Sequence, residues 1–364
     1  MTEQLAALSQ ELRLLTTLTG FYPPTEQQVK PLLFNIEDSP GWERFIHTAE
    51  RHGLPGLAYK RLLELENLSL PTELPATLTG RHRTAVVQSL VNKAATIEVS
   101  QLLSENGIRH LVLKGPAMTE PIYGGTGLRL SEDVDLLVQK EDVEDALKAM
   151  YGGGYLDTNG QKPDISNLTR RIHQEFQLIA PKGQSMVELH WRLFENPRYL
   201  DAYTSNKFTA EETTLMDDQI LPVLPNEYVP LYMMCHGASH HFSILKYMCD
   251  LHWLFSREPS LLEQTQRQTK AMQLEGTFAL SIEMLAALYG HTLPRDTDQI
   301  TKGAMPFLLE DALDALNLKD LLTPARESRN LHRLYRAWRF RSNLSEGLHY
   351  KIFELAKPVW LSFT

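Results

Sequence analysis

One ten-residue segment constrains this chain more than any other: Arg129-Leu130-Ser131-Glu132-Asp133-Val134-Asp135-Leu136-Leu137-Val138. Val134, Leu136 and Val138 alternate with the other positions, which is the pattern of a β-strand. Side chains in a strand alternate faces, so Asp133 and Asp135 point the same way. Two neighbouring carboxylates on one face repel unless something positive sits between them. A divalent cation answers that need, and Mg²⁺ is commonly held by one or two carboxylates together with substrate phosphates. The segment therefore points toward metal-assisted phosphoryl chemistry. The simpler alternative is a solvated edge strand with no ion, so the surroundings of the pair must decide.

Those surroundings begin with what composition excludes. The 364 residues suffice for two or three domains, and 43% apolar with 22% charged residues is ordinary for a globular protein. A formal net charge of −9 argues against a general DNA-binding or RNA-coating role, which needs a basic surface to release counterions. Two cysteines, Cys235 and Cys249, make no multi-disulfide framework and fit a reducing compartment. The first residues lack a basic, then apolar, leader, and no apolar run reaches the ~20 residues of a membrane span. The expectation is a cytoplasmic protein with no membrane partner.

Along the chain, residues 1–104 read as an N-terminal helical region. Leu5, Leu8, Leu12 and Leu15 share one helical face, and Phe21-Tyr22-Pro23-Pro24 ends that run. Residues 42–63 predict one or two helices broken near Gly53-Leu54-Pro55-Gly56. A long helix is predicted from about Thr84, with Val87, Leu90, Val91, Ala94, Val99, Leu102 and Leu103 as its apolar stripe and Gly107 at its end. Residues 105–200 then change character. Arg109 to Gly115 predicts a buried strand, Pro116 to Tyr123 a short helix, and Gly124-Gly125-Thr126-Gly127 a flexible loop before the acidic strand. Val143, Ala146, Leu147 and Met150 mark the next helix. Residues 175–180 and 186–193 flank a Pro/Gly turn and predict a β-hairpin. On its second strand, Val187, Leu189 and Trp191 share one face, and Glu188, His190 and Arg192 the other. Residues 201–364 read as a C-terminal helical domain that ends in a basic, aromatic tail near residues 331–341, most simply a solvated amphipathic helix.

The central order is strand, helix, Gly-rich loop, acidic strand, helix, and a hairpin carrying one inward Glu. It resembles the core of the DNA polymerase β-like nucleotidyltransferase superfamily. More narrowly, Leu113-Lys114-Gly115, the segment from Arg129 to Val138, Val187-Glu188-Leu189-His190, Cys235-His236-Gly237-Ala238-Ser239-His240 and Lys246-Tyr247-Met248-Cys249-Asp250 are similar to the bacterial "uncharacterised nucleotidyltransferase" family. The resemblance implies an α+β fold, a small mixed sheet with helices, flanked by N- and C-terminal helical regions. It implies transfer of NMP from an NTP to an acceptor with release of pyrophosphate. Asp133, Asp135 and Glu188 would be the catalytic, metal-holding carboxylates, with Mg²⁺ or Mn²⁺ as the ion. Lys114, Gly115, Arg129, Ser131 and Lys246 would contact the nucleotide. The acceptor would be a hydroxyl or phosphate of a small molecule, protein or RNA. In the wider superfamily Gly is followed by Ser or Gly; here Pro116 follows Gly115 and removes one backbone donor.

Four further residues carry weaker signals. His190 shares a face with Glu188 and is a substrate-contact or structural candidate. His236 and His240 lie one helical turn apart, but a zincin-type site needs Glu where Gly237 stands, so they read as packing or nucleotide contacts. Asp250 reads as a buried polar anchor. Two other functions fit the same residues: a metal-dependent phosphohydrolase, or a non-catalytic protein that binds nucleotide or a partner.

Overall fold

In a computed structural model the described residues are 8–33, 36, 39–68, 70–158, 175–183, 185–193, 211–214, 219–240, 242–272, 274–292 and 305–317. The chain divides into two compact units. One runs from Ala85 to Val229, and the other combines the described residues up to Thr84 with those from Pro230 to Asn317.

The first unit is built on a seven-stranded mixed sheet. In chain order its elements are β1 (His110–Val112), β2 (Asp133–Val138), β3 (Leu156–Asp157), β4 (Glu175–Ile179), β5 (Met186–His190), β6 (Glu211–Thr214) and β7 (Ile220–Val223). Their spatial order is β3-β4-β5-β2-β1-β7-β6. β2 is antiparallel to β1 and parallel to β5, while β7 is parallel to β1. β4 and β5 form the expected antiparallel hairpin.

One face of this sheet is apolar. Val112, Val134, Leu136, Val138, Leu178, Val187, Leu189 and Trp191 form one buried cluster with residues of two helices. The long helix (Leu74–Glu105) contributes Ala95, Val99 and Leu103. The helix Val143–Gly152 contributes the four predicted residues Val143, Ala146, Leu147 and Met150. With that face committed to the core, period-two alternation turns Asp133 and Asp135 to the other.

Three expectations change. The long helix begins ten residues before Thr84, and Val87, Leu90 and Ala94 lie on its exposed side. Its buried side carries polar residues instead: Ser89, Asn92, Lys93, Thr96 and Ser100. Asn92, Lys93, Thr96 and Ser100 bond to the Ser131 carbonyl, Glu120, the Asn92 carbonyl and His110, respectively, so the predicted apolar stripe holds only in the last turns, at Val99 and Leu103. The glycine loop is tightly fitted rather than loose. Gly127 has φ +74° and its Cα faces Val86 so closely that an added Cβ would lie 2.7 Å from the Val86 Cα. Finally, β6 and β7 lie within the segment assigned to a helical domain. Pro222 sits inside β7, and a proline argues against a strand when only local pattern is read. Along the chain the two compact units change over at 84/85 and 229/230.

The second unit is helical. Numbering all helices in chain order, it holds α1 (Gln10–Leu18), α2 (Glu26–Leu33), α3 (Ser39–Arg51) and α4 (Pro55–Leu63). α5 is the long helix already described, α6 spans Pro116–Tyr123, and α7 is Val143–Gly152. The helical unit resumes with α8 (Val229–Ser239), α9 (Leu245–Arg257), α10 (Ser260–Ala271), α11 (Glu275–Tyr289) and α12 (Met305–Asn317). Ser9 caps α1 by accepting from the Leu12 N–H at 3.3 Å, and Leu12 and Leu15 are buried as their spacing predicts. Leu5 and the basic tail at 331–341 lie outside the described residues. No helix of the described residues is long and apolar enough to cross a membrane.

Candidate metal centre

The polar face of the sheet gathers its charges by register. β2 and β5 run parallel with Asp135 opposite Glu188 and Leu137 opposite His190. β4 pairs with β5 so that Glu175 lies opposite His190 and Gln177 opposite Glu188. Four carboxylates thus come from three adjacent strands: Asp133 and Asp135 from β2, Glu188 from β5, and Glu175 from β4.

Two cations hold them. Lys114 follows β1 and places its Nζ 3.2 Å from Asp133 Oδ2 and 3.1 Å from Asp135 Oδ1. The ring of His190 lies among the other carboxylates. Its Nε2 is 3.1 Å from Asp135 Oδ1 and 3.4 Å from Glu188 Oε2, and its Nδ1 is 3.1 Å from Glu175 Oε2. Burial by itself would pull the imidazole's pKa down. Hydrogen bonds to Asp135 and Glu188 and the charge of Glu175 outweigh it and push His190 up to about 10. Glu188 responds in the opposite sense. Burial would raise it, but the His190 hydrogen bond and charge hold it below the usual carboxylate value. Gln177 Nε2 also donates to Glu188 Oε1 at 3.0 Å.

Among the described residues, Asp135, Glu188 and His190 form the one group of three with ligand atoms all within 4.8 Å of one another. The residues fit an ion. Asp135 is fully buried, yet its Oδ2 receives no hydrogen bond. A buried carboxylate oxygen left without a donor is costly, and a bound cation would satisfy it. Asp133 is the less buried member of the acidic pair.

Around the acids the backbone is fixed from both sides. Gly115 has φ +89° and ends the β1 turn as the N-cap of α6, a conformation that L side chains rarely adopt. Pro116 opens the helix, where its missing N–H costs nothing. Ser131 Oγ donates to the Asp133 carbonyl at 3.2 Å. Arg129 is buried and its Nη1 donates to the Leu130 carbonyl at 3.0 Å, so its guanidinium is used in part by the backbone. Asn92 ties α5 to this loop: its Nδ2 donates to the Ser131 carbonyl, and its Oδ1 accepts from Ser185 Oγ at 2.9 Å.

The remaining sequence candidates belong to the helical unit. His236 and His240 join a ring cluster, with His236 stacked on Tyr232 and His240 on Tyr247. Gly237 between them is where the Phe242 ring packs, 2.8 Å from an added Cβ, which is why no larger residue stands there. The Lys246 stem packs on Gly53, and Asp250, one turn along α9, is fully buried.

Sequence reasoning missed Glu175, Gln177 and Asn92. The first two were within reach. The 3₁₀ turn Pro181–Gly183 sits between the hairpin strands, whose register brings Glu175 against His190. Asn92 carried no local signal.

Fold and site together define a class: a nucleotidyltransferase core, with a carboxylate-rich face able to hold a metal ion, flanked by helices. The family model described as "Uncharacterised nucleotidyltransferase" matches residues 38–290, more than half of the chain, and the protein belongs to that family. No functionally curated protein matches it.

Proposed function

We propose that this protein is a metal-dependent nucleotidyltransferase that moves NMP from an NTP to a hydroxyl or phosphate acceptor and releases pyrophosphate. The supporting observation is the β2–β5 register, which sets Asp135 against Glu188 beside the Gly115 turn and leaves Asp135 Oδ2 without a donor. Asp135 and Glu188 would hold the ion, Mg²⁺ or Mn²⁺, and Asp133 would lie beside it. The bound ion supplies charge neutralisation on the triphosphate and on the pyrophosphate as it leaves.

The chain's own residues do the rest. Lys114 balances the β2 carboxylates and is the nearest cation for a phosphate oxygen. The positive φ of Gly115 turns the backbone away from β1, so that α6 starts beside the acids. Ser131 fixes the β2 entry and with it the angle of Asp133. Arg129 and Lys246 are assigned to nucleotide binding on the family resemblance alone. The acceptor, a small molecule, protein or RNA, would be selected outside the acidic face.

The test is calorimetric binding of NTP with and without Mg²⁺, for wild type and an Asp133→Ala/Asp135→Ala double variant. Mg²⁺-dependent binding that the double variant loses supports the reading. Absence of NTP binding by wild type overturns it.

A further inference from the structure

The acidic face holds more than oxygen donors. His190 Nε2 lies 3.1 Å from Asp135 Oδ1 and 3.4 Å from Glu188 Oε2. Two atoms bound to one ion at about 2.1 Å, at angles between a right angle and a tetrahedral one, lie about 3.0 to 3.4 Å apart. Both Nε2 contacts therefore have the spacing of neighbours in a coordination shell, and all three ligand atoms lie within 4.8 Å of one another. The other ring nitrogen, Nδ1, lies 3.1 Å from Glu175 Oε2, at ion-pair distance. A carboxylate beside one imidazole nitrogen orients the ring, and Nε2 would offer its lone pair to an ion on releasing to solvent the proton it shares with Asp135 and Glu188. Asp133 stands outside the group, and Lys114 Nζ lies beside both β2 carboxylates, 3.2 Å from Asp133 Oδ2 and 3.1 Å from Asp135 Oδ1.

We propose that His190 is itself a metal ligand through Nε2, alongside Asp135 and Glu188, and that Glu175 is the positioning residue that orients it. The site is then a mixed two-carboxylate, one-imidazole centre. Imidazole suits first-row transition ions, whereas Mg²⁺ favours an all-oxygen shell. The centre therefore selects Mn²⁺ over Mg²⁺. This rests on the acidic face being a metal site, but not on the identity of the reaction.

The experiment uses the full-length protein and the metal alone. Mn²⁺ is titrated by electron paramagnetic resonance, and the loaded protein is examined by pulsed methods for coupling to nitrogen. The expected result is one Asp135-dependent Mn²⁺ with a ¹⁴N coupling that becomes a ¹⁵N coupling when histidine alone is ¹⁵N-labelled. His190→Gln should abolish the coupling and narrow the preference for Mn²⁺ over Mg²⁺. Glu175→Gln should weaken Mn²⁺ binding about 10- to 100-fold with unchanged circular dichroism. If His190→Gln does not fold, the isotope exchange in wild type gives the same answer. Mn²⁺ bound with oxygen coupling only overturns the ligand assignment, and unchanged affinity in Glu175→Gln overturns the positioning role. No bound Mn²⁺ overturns both. Nitrogen coupling without NTP binding supports this inference and defeats the transferase reading, so the two fail separately.

Discussion

Buried histidines with and without carboxylate neighbours meet opposite fates, and the sheet unit holds both kinds, since its His110, bonded to Ser100 and the Ile108 carbonyl, is pushed down by burial. In the sheet unit, His190 sits among Asp135, Glu188 and Glu175 and is held up to about 10. In the helical unit, His52 and His252 are buried as well, but their partners are uncharged. His52 Nδ1 accepts from the Leu245 N–H at 3.0 Å, and His252 stacks on Tyr289 and shares a 2.7 Å hydrogen bond with His291. Burial, with smaller repulsion from Arg51 on one and His291 on the other, pushes both down to about 3. Burial is common to the three, so the partners decide the outcome. The helical unit uses histidine as a neutral core residue. The sheet unit has assembled more negative charge than a fold requires, and that excess marks the candidate site.

The sharpest way to break this contrast is Asp135→Ala. It removes a ligand rather than its support, so metal-dependent NTP binding should fall by more than about 100-fold. Retention of binding, measured by calorimetry, would detach function from this face. His190→Ala comes next. In chelator-treated protein it leaves buried carboxylates without their cation and should cost about 3–5 kcal/mol in urea unfolding. The same truncation at His240, which is exposed, should cost under about 1 kcal/mol.

The pH dependence should separate His190 from His52 and His252 by sign. The folded pKa of His190 lies above its unfolded value, so its contribution is complete below about 6.5 and is lost as pH rises toward 10. The folded pKa values of His52 and His252 lie below theirs, so their contribution is complete above about 6.5 and is lost as pH falls toward 3. Site-resolved hydrogen exchange on metal-free protein should show the strands around His190 losing its contribution toward alkaline pH and the helices around His52 and His252 losing theirs toward acid pH. Parallel changes in both would contradict the assignment.

Smaller effects sharpen the picture of the support. Asn92→Ala strands the Ser131 carbonyl and Ser185 Oγ and should destabilise the sheet unit by about 1–3 kcal/mol. Gly115→Ala meets no close neighbour, since Ser131 Oγ is 3.7 Å from an added Cβ, but it forces an L residue to φ +89°. About 1–2 kcal/mol is expected, read as a lowered thermal midpoint.

Much of the site was legible without a structure because it is periodic or local. Asp133 and Asp135 share a face through strand alternation, and Gly115 before Pro116 announces a turn into a helix. Glu188 and His190 share a face for the same reason. The misread stripe of α5 shows the limit of such reading. Val87, Leu90 and Ala94 repeat at helical spacing, yet α5 buries Asn92, Lys93 and Thr96, because those polar groups have partners that the sequence does not display.

By itself, then, the sequence determined β1, β2, α6, α7 and the β4–β5 hairpin, the faces of β2 and β5, and the acidic character of one face of each. Periodicity and turn chemistry act over a few residues and are written in adjacent letters. Only the tertiary structure decided that Asp135 lies opposite Glu188, that Glu175 reaches His190, that Asn92 holds the Ser131 loop, and that β7 runs beside β1. Apart from the short hairpin pairing, these contacts join distant segments. Their register is set by packing the apolar face of the sheet on α5 and α7, a condition that no local stretch contains.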